Sequence, residues 1–409
     1  MTDSTRRAAW WLVLLAAAGT FALTMGSRQS MGLFLPALNT STGLGLGSIS
    51  LAFAFGQLWW GLTQPFAGAL ADRYGAGRVL VVGLALMALG TFITPFMSTT
   101  LGLIFAIGVL AAGGSGMAGP AVLMSASMRM IEPARRGIAT GIVNAGGSFG
   151  QFTVIPLAGL FIGLAGWQPA LVILGVISLA AIPAILWITQ AVPASAGAAP
   201  ASAGAQPQSL KSAIGTASRD PSFLLLTAGF FTCGFHVAFI ATHLPGVVAL
   251  CGLDASVSAW SLALIGLFNI FGSLWVGKFV GGRRMKTTLA GIYFARALII
   301  VVFFFAPKTA LTFLLFAAAI GFSYLSTVPP TIGLVIKFYG PRYVATLFGL
   351  VMLSHQVGGF LGAWLGGRAF EASGNYDWMW FADIALCLFA AAVHLPIREA
   401  APKLAPAAA

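Results

Sequence analysis

Residues 193–218 read PASAGAAPASAGAQPQSLKSAIGTAS, a stretch of Pro, Ala, Ser and Gly with almost no large apolar group. Such a composition cannot bury enough surface to pack, so it predicts a flexible linker. What lies on either side decides the architecture. Apolar runs of about 20 residues, the length that crosses a hydrocarbon core as helix, recur throughout the 409-residue chain. Six precede the linker, near 9–36, 47–71, 79–98, 101–128, 137–165 and 168–190. Six follow it, near 222–249, 256–281, 288–306, 309–336, 343–370 and 376–396. We number them as helices 1 to 12. The expected class is an all-α membrane protein with twelve transmembrane helices in two pseudo-symmetric bundles. Its expected units are 1–192, the linker 193–218, 219–397, and a tail 398–409.

Composition agrees: 59% of residues are hydrophobic and only 7% charged, far below the quarter usual in soluble proteins. The net charge of +12 raises the question of a nucleic-acid partner, and the placing of the basic residues answers it. With a cytoplasmic N-terminus, one side receives Arg6, Arg7, Arg73, Arg78 and the basic residues of 129–136, 211–219, 278–286, 337–342 and 398–403. The other side receives only Lys308 and Arg368. This is the positive-inside bias, which also suits an anionic inner leaflet, so a nucleic acid explains nothing further. The expected location is the plasma (inner) membrane with both termini cytoplasmic. The N-terminal arginines and apolar run resemble a signal peptide, but the run is too long and has a counterpart later in the chain. Cys233, Cys251 and Cys387 have no paired spacing and read as apolar fillers; no metal or cofactor is expected.

The halves repeat. Pro36 and Pro245, Gly68 and Gly277, and Pro120 and Pro329 are each 209 residues apart. With a small shift, RRGIATG and GGSFG in helix 5 match RYVATLFG and GGFLG in helix 11. Two halves related by an axis along the membrane normal place a binding site between them near mid-membrane, reached alternately from either side. Proline inside a membrane helix, as at Pro120, Pro329 and Pro330, favours a bend or merely shapes packing.

The loop after helix 2, GALADRYGAGRVL at 68–80, combines turn-permitting glycines with Asp72, Arg73 and Arg78, which can exchange charge-assisted hydrogen bonds. It resembles the major facilitator superfamily signature Gly-x-Leu-x-Asp-Arg-x-Gly-x-x-Arg at Gly68, Leu70, Asp72, Arg73, Gly75 and Arg78. The resemblance implies that Asp72 and Arg78 hold a cytoplasmic gate; the second copy, GKFVGGRRMK, has Gly281 in place of the aspartate. RRGIATGIVNAGGSFG at 135–150 is similar to the monocarboxylate transporter signature, through Arg135, Arg136, Ala139, Gly141, Ala145, Gly146 and Gly150. Physically, the arginines anchor the helix at the interface and the small residues admit a neighbouring helix. The resemblance implies transport of small organic anions, chiefly monocarboxylates, by proton symport or anion exchange, or export of an amphiphilic acid. Departures exist. Helix 1 lacks the acidic-Gly-Gly-Trp pattern of animal members, helix 8 has Asn269 but no cation, and helix 11 has His355 in place of the lysine of oxalate:formate antiporters.

Arg28, inside helix 1, is a permanent charge whose insertion costs about 2.5–3.5 kcal/mol at mid-membrane. Thr20, Thr24, Ser27 and Arg28 form one polar stripe that calls for a wet or protein-lined cavity; snorkelling to the far interface is the alternative. Helix 7 carries Gly229, Thr232, His236 and His243 on one face, with His236 one residue from the position equivalent to Arg28. His355, Asn269 and Tyr324 also fall near mid-membrane. Arg28, His236, Asn269, Tyr324 and His355 are therefore the expected substrate-binding residues, with His236 and His355 as proton-coupling candidates, although packing is the commoner fate of a lone histidine. Asp383 is expected in the outer part of helix 12, leaving no carboxylate at mid-membrane, which suits an anionic cargo. Arg296 reads as structural or regulatory. An intramembrane serine hydrolase is disfavoured: GGSFG lies mid-helix with no preceding strand. A channel lacks a filter-like loop. The expected partners are lipid, a small organic anion, and a proton or counter-anion, for a monomer.

Overall fold

The computed structural model describes residues 3–128, 136–191, 210–279, 284–340 and 344–399. Eleven of its helices are long and apolar enough to cross a membrane, and the 29-residue helix Leu46–Tyr74 is the twelfth. We label the spans α1 to α12. In the first half, α1 is Asp3–Ser30, continued through a 3₁₀ turn Met31–Phe34 into Leu35–Thr42; α2 is Leu46–Tyr74 and α3 Ala76–Ile93. The fourth, α4, runs from Thr100–Leu103 through a π segment Ile104–Ala112 and Gly113–Met117 to Pro120–Met128; α5 is Arg136–Ala165, and α6 is Trp167–Leu179 with Ile182–Ala191. In the second half, α7 is Pro221–Leu250, α8 Ala255–Phe279, α9 Met285–Phe305, α10 Ala310–Ser323 with Val328–Tyr339, α11 Val344–Ser373 and α12 Asp377–His394.

The helix ends follow local chemistry. Side-chain oxygens of Thr99, Asp220 and Thr309 accept from the backbone N–H of Gly102, Ser222 and Thr312 at the starts of α4, α7 and α10. Gly75 alone separates α2 from α3, at φ +92°, a conformation that side chains resist. The tight turn expected in the 68–80 loop is thus one residue long.

The repeat is visible in three dimensions. The turn at Ala118 and Gly119 interrupts α4 just before Pro120, and residues 324–327 interrupt α10 just before Val328 and Pro329. Both breaks precede the matched prolines, because a proline cannot donate to the preceding turn. Close packing repeats as well. Gly146 and Gly150 of α5 lie against the carbonyls of Ala18 and Ala22 in α1, while Gly358 and Gly362 of α11 lie against those of Phe231 and Phe235 in α7. Without these glycines the paired helices could not approach so closely. Inside the expected linker, Leu210–Ala217 form a short helix with Ala213 and Ala217 buried, Ala217 beside Phe223 and Phe230. Residues 210–218 have apolar side chains at helical spacing that the Pro- and Gly-rich part lacks; residues 192–209 lie outside the described set.

Candidate functional site

The two halves meet along α2 with α11, α5 with α8, and α1 with α7. Their close approaches fall in one half of the membrane thickness. Gly367 rests on Ser50, the backbone N–H of Gly47 donates to Glu371 at 2.7 Å, and Gly61 abuts Gln356; Gly159 meets Ala259, and Gly266 meets Ser148 and Gln151. Towards the side bearing the 68–80 loop, Gly68 and Gly141 have no neighbour near their Cα positions. Among the described residues the close approaches of the seam thus lie toward the end holding Glu371, away from the exposed Arg73 and Arg78.

Arg28 lies close to the middle of the span Trp11–Thr42, because helix 1 extends through the 3₁₀ turn further than its apolar run suggests. Its guanidinium does not snorkel. Nη2 donates to Oε1 of Gln57 in α2, Nη1 donates to Oε1 of Gln29 at 3.3 Å, and Cζ stands 4.4 Å from the Trp60 ring centroid. Among the described residues no carboxylate pairs with it. It faces a cavity of ≈ 50 Å³ lined by Ser27, Arg28, Gln29, Gln57, Thr91 and Thr242, with Phe53, Met87, Ile107 and Leu174 as apolar walls. That space accommodates roughly four water-sized groups. Ala241 and Thr242 of α7 close one side, next to Gly32, whose Cα touches the Ala241 carbonyl region, so the cavity sits where the halves meet. Of the rest of the polar stripe Ser27 lines the cavity, while Thr20 and Thr24 do not: both are buried and bond back to the carbonyls of Ala16 and Phe21.

The other expected residues divide. Tyr324 is in electrostatic reach of Arg28 and meets the Gln29 side chain but is not among the cavity-lining residues, and its hydroxyl donates to the Val237 carbonyl at 2.9 Å. Asn269 is buried and largely committed: it donates to Ser148 Oγ at 2.9 Å and accepts from the Leu325 N–H at 3.0 Å, joining α8 to α5 and to the break in α10. His236 points away from the cavity into the second bundle, with Nδ1 2.6 Å from Oδ2 of Asp383. Ala241 and Thr242 are five and six residues on and so occupy the opposite face of α7. His355 packs against Phe230 and bonds Gln356 at 3.2 Å. The stripe Gly359, Gly362, Gly366 faces α7, with His243 seated on Gly366, and so serves packing.

Asp383 requires a correction. It lies at the depth of His236, the middle of α7, although it falls in the first half of helix 12. It is the seventh residue of the 18-residue helix Asp377–His394, and the contact with His236, central in α7, is what sets its depth. A carboxylate is present there, but it is fully buried and occupied by protein. Arg296 is fully buried too, donating through Nη2 to the Ser323 and Tyr324 carbonyls at 2.6 and 3.1 Å, which the break in α10 sets free. His236, Asp383 and Cys387 each bring a ligand atom within 4.8 Å of the others, yet Arg296 already supplies positive charge to this cluster. Of the gate residues, Arg73 lies over the Tyr74 ring at 5.2 Å; the side chains of Asp72 and Arg136, and all of Arg135, lie outside the described set. Ser148, the serine of GGSFG, sits mid-helix and accepts from Asn269.

Gln29, Gln57, Gln356 and Trp60 escaped the sequence reading. Uncharged amides disturb an apolar pattern little, and only their spacing beside Arg28 and on the α2 seam hints at them.

A family model described as the Major Facilitator Superfamily matches residues 16–363. Monocarboxylate transporter 13 of Rattus norvegicus is 25% identical over 376 residues, covering 90% of this chain and 83% of its own. The oxalate:formate antiporter of Oxalobacter formigenes is 26% identical over 261 residues, covering 63% and 60%. Among solved structures, a bacterial homologue of the human lysosomal transporter Spinster superposes with a TM-score of 0.74 at 15% identity, covering 93% of this chain and 95% of that one.

Proposed function

The chain belongs to the major facilitator superfamily, and on that premise we propose that it is a secondary carrier of small organic anions, monocarboxylates first, working by alternating access. The observation that carries this reading is Arg28: a guanidinium at mid-span, held by neutral amides and an indole, without a carboxylate partner among the described residues, and facing a small cavity between the halves. A carboxylate entering there receives a charge-assisted, bidentate partner, and the apolar walls accept a short hydrocarbon portion. The activities for which the two relatives are named, monocarboxylate transport and oxalate:formate antiport, support the same chemistry. Tyr324, beside Arg28, is the second polar contact.

In the cycle, the seam at Glu371 opens as the seam near the 68–80 loop closes. We assign Asp72 with Arg78 to that second closure and Arg135 and Arg136 to lipid anchoring. Both termini are placed in the cytoplasm of an inner-membrane protein by the positive-inside bias. Proton symport and anion exchange are the two modes. Of the histidines, His236 suits proton carriage better than His355, because it contacts an acid.

The test is uptake by proteoliposomes of acetate, lactate, pyruvate and oxalate against neutral analogues and cations, with and without a pH gradient. Saturable uptake or exchange confined to the acids is expected; transport of cations instead removes the reading.

A further inference from the structure

The buried ionisable groups of the second bundle converge. His236 from α7, Asp383 from α12 and Arg296 from α9 are each wholly excluded from solvent. His236 Nδ1 and Asp383 Oδ2 are 2.6 Å apart, and Cys387 Sγ lies 3.7 Å from Oδ1. Tyr293 of α9 lies under the Arg296 guanidinium at 5.2 Å. Cys233 of α7 touches Thr327, and His355 of α11 stands beside it. Tyr324 of α10 presents its ring to His236 at 6.2 Å, and on its cavity side are Arg28 and Gln29 of α1.

Buried ion pairs are poor stabilisers, since an apolar set of the same volume does as well. A purely structural cluster also satisfies its polar atoms. This one leaves three atoms, His236 Nε2 and Arg296 Nε and Nη1, without partners, where the packing residue His243 leaves one, Nδ1.

We propose that the His236–Asp383 pair is the proton-carrying element of this carrier, reached from the Arg28 cavity past Tyr324. The proposal rests on the carrier reading above. A hydronium ion in the cavity gives its proton to Nε2 of the neutral imidazole and becomes water, and the proton on Nδ1 passes to Oδ2 of Asp383. One N–H and one O–H form while one N–H and the hydronium O–H break; the imidazole ends neutral in its other tautomer, the carboxylate becomes an acid, and the cluster gains one positive charge. Release reverses each step. Tyr324 controls access. Its ring centroid is 6.2 Å from that of His236, its hydroxyl is held by the Val237 carbonyl and meets the Gln29 side chain, which lines the cavity, and it stands in the break at 324–327, where no helix fixes it. The added charge favours a bound anion, and a bound anion favours the proton by the same factor. Asp383→Asn copies the protonated state.

Full-length protein in proteoliposomes tests this with the acids named above. Two readouts are taken: exchange at equal pH, and accumulation driven by an acid exterior, with an internal pH dye. Asp383→Asn is expected to keep exchange, to lose accumulation about tenfold or more, and to bind acids independently of pH. His236→Gln is expected to lose accumulation too. Should Asp383→Asn not remain monodisperse, Asp383→Asn with Arg296→Gln, which leaves no lone charge, is read in its place with the same expectation. Accumulation at the wild-type level in either Asp383 variant overturns the proposal. So does parallel loss of exchange and accumulation, the mark of a structural role. A wild type that exchanges acids but never accumulates them overturns this proposal and leaves the anion-carrier reading standing; a wild type that exchanges no acid removes that reading first.

Discussion

Each half of the molecule buries an arginine, and the two are treated oppositely. Arg296 sits in the second bundle with broken-helix carbonyls and a carboxylate in electrostatic reach, sealed from water. Arg28 sits in the first bundle among amides and an indole, half-buried, with open space before it. A charge that the protein itself compensates can be closed over, whereas one held only by neutral donors and acceptors retains attraction for an ion from outside. The contrast assigns binding to one bundle and internal order to the other.

Four substitutions test that contrast. The largest effect on transport is expected from Arg28→Gln, which should lower acid uptake on the order of 100-fold or more while leaving thermal unfolding nearly unchanged. Uptake near the wild-type level would make Arg28 a packing residue. Arg296→Met should do the reverse. It abandons two carbonyls and a buried carboxylate, costing about 3–5 kcal/mol, read as an early unfolding transition in detergent. An unfolding temperature equal to wild type would show that the second arginine is not structural. Gln57→Leu removes one hydrogen bond to the Arg28 guanidinium and should weaken apparent acid affinity about tenfold, measured as a rise in half-saturating concentration with little change in maximal rate. The smallest effect belongs to Glu371→Gln at the tight seam. Glu371 accepts from Gly47 N–H and pairs with the exposed Arg368 at 3.0 Å, so screening limits its worth to about 1 kcal/mol. A several-fold gain in thiol labelling from the Glu371 side, using a cysteine placed in the cavity wall, is the expected sign; unchanged labelling would remove Glu371 from the closure.

Much of the scaffold was legible because membrane helices announce themselves. No water satisfies backbone groups in a bilayer, so apolar length alone marks a span, and the linker divides six from six. The matched prolines and glycines were legible for a similar reason: each performs a local backbone task, a break or a close approach, that few other residues perform. The site was legible only where a residue is costly by itself. Arg28 is such a residue, and Asp383 should have been. Its depth was not legible because it depends on how α12 slides against α7, which the contact with His236 sets, and not on the start of the helix, which falls within a residue of the expected one. His236 and His355 were expected to share one cavity because both fall at mid-membrane. Depth is shared, but direction is not: a turn of 100° per residue decides whether a side chain meets the cavity or the neighbouring helix.

The membrane class, the twofold repeat and the presence of a costly charge in the first span can be read from the sequence alone. These follow from composition, period and single-residue chemistry, which act locally. Only the tertiary structure decided that Gln57 and Trp60 hold Arg28, that Asp383 belongs to His236, and that the histidine faces its own bundle. Those outcomes depend on how helices far apart in sequence rotate and slide against one another, and glycine contacts such as Gly362 on Phe235 fix that geometry only once the helices have met.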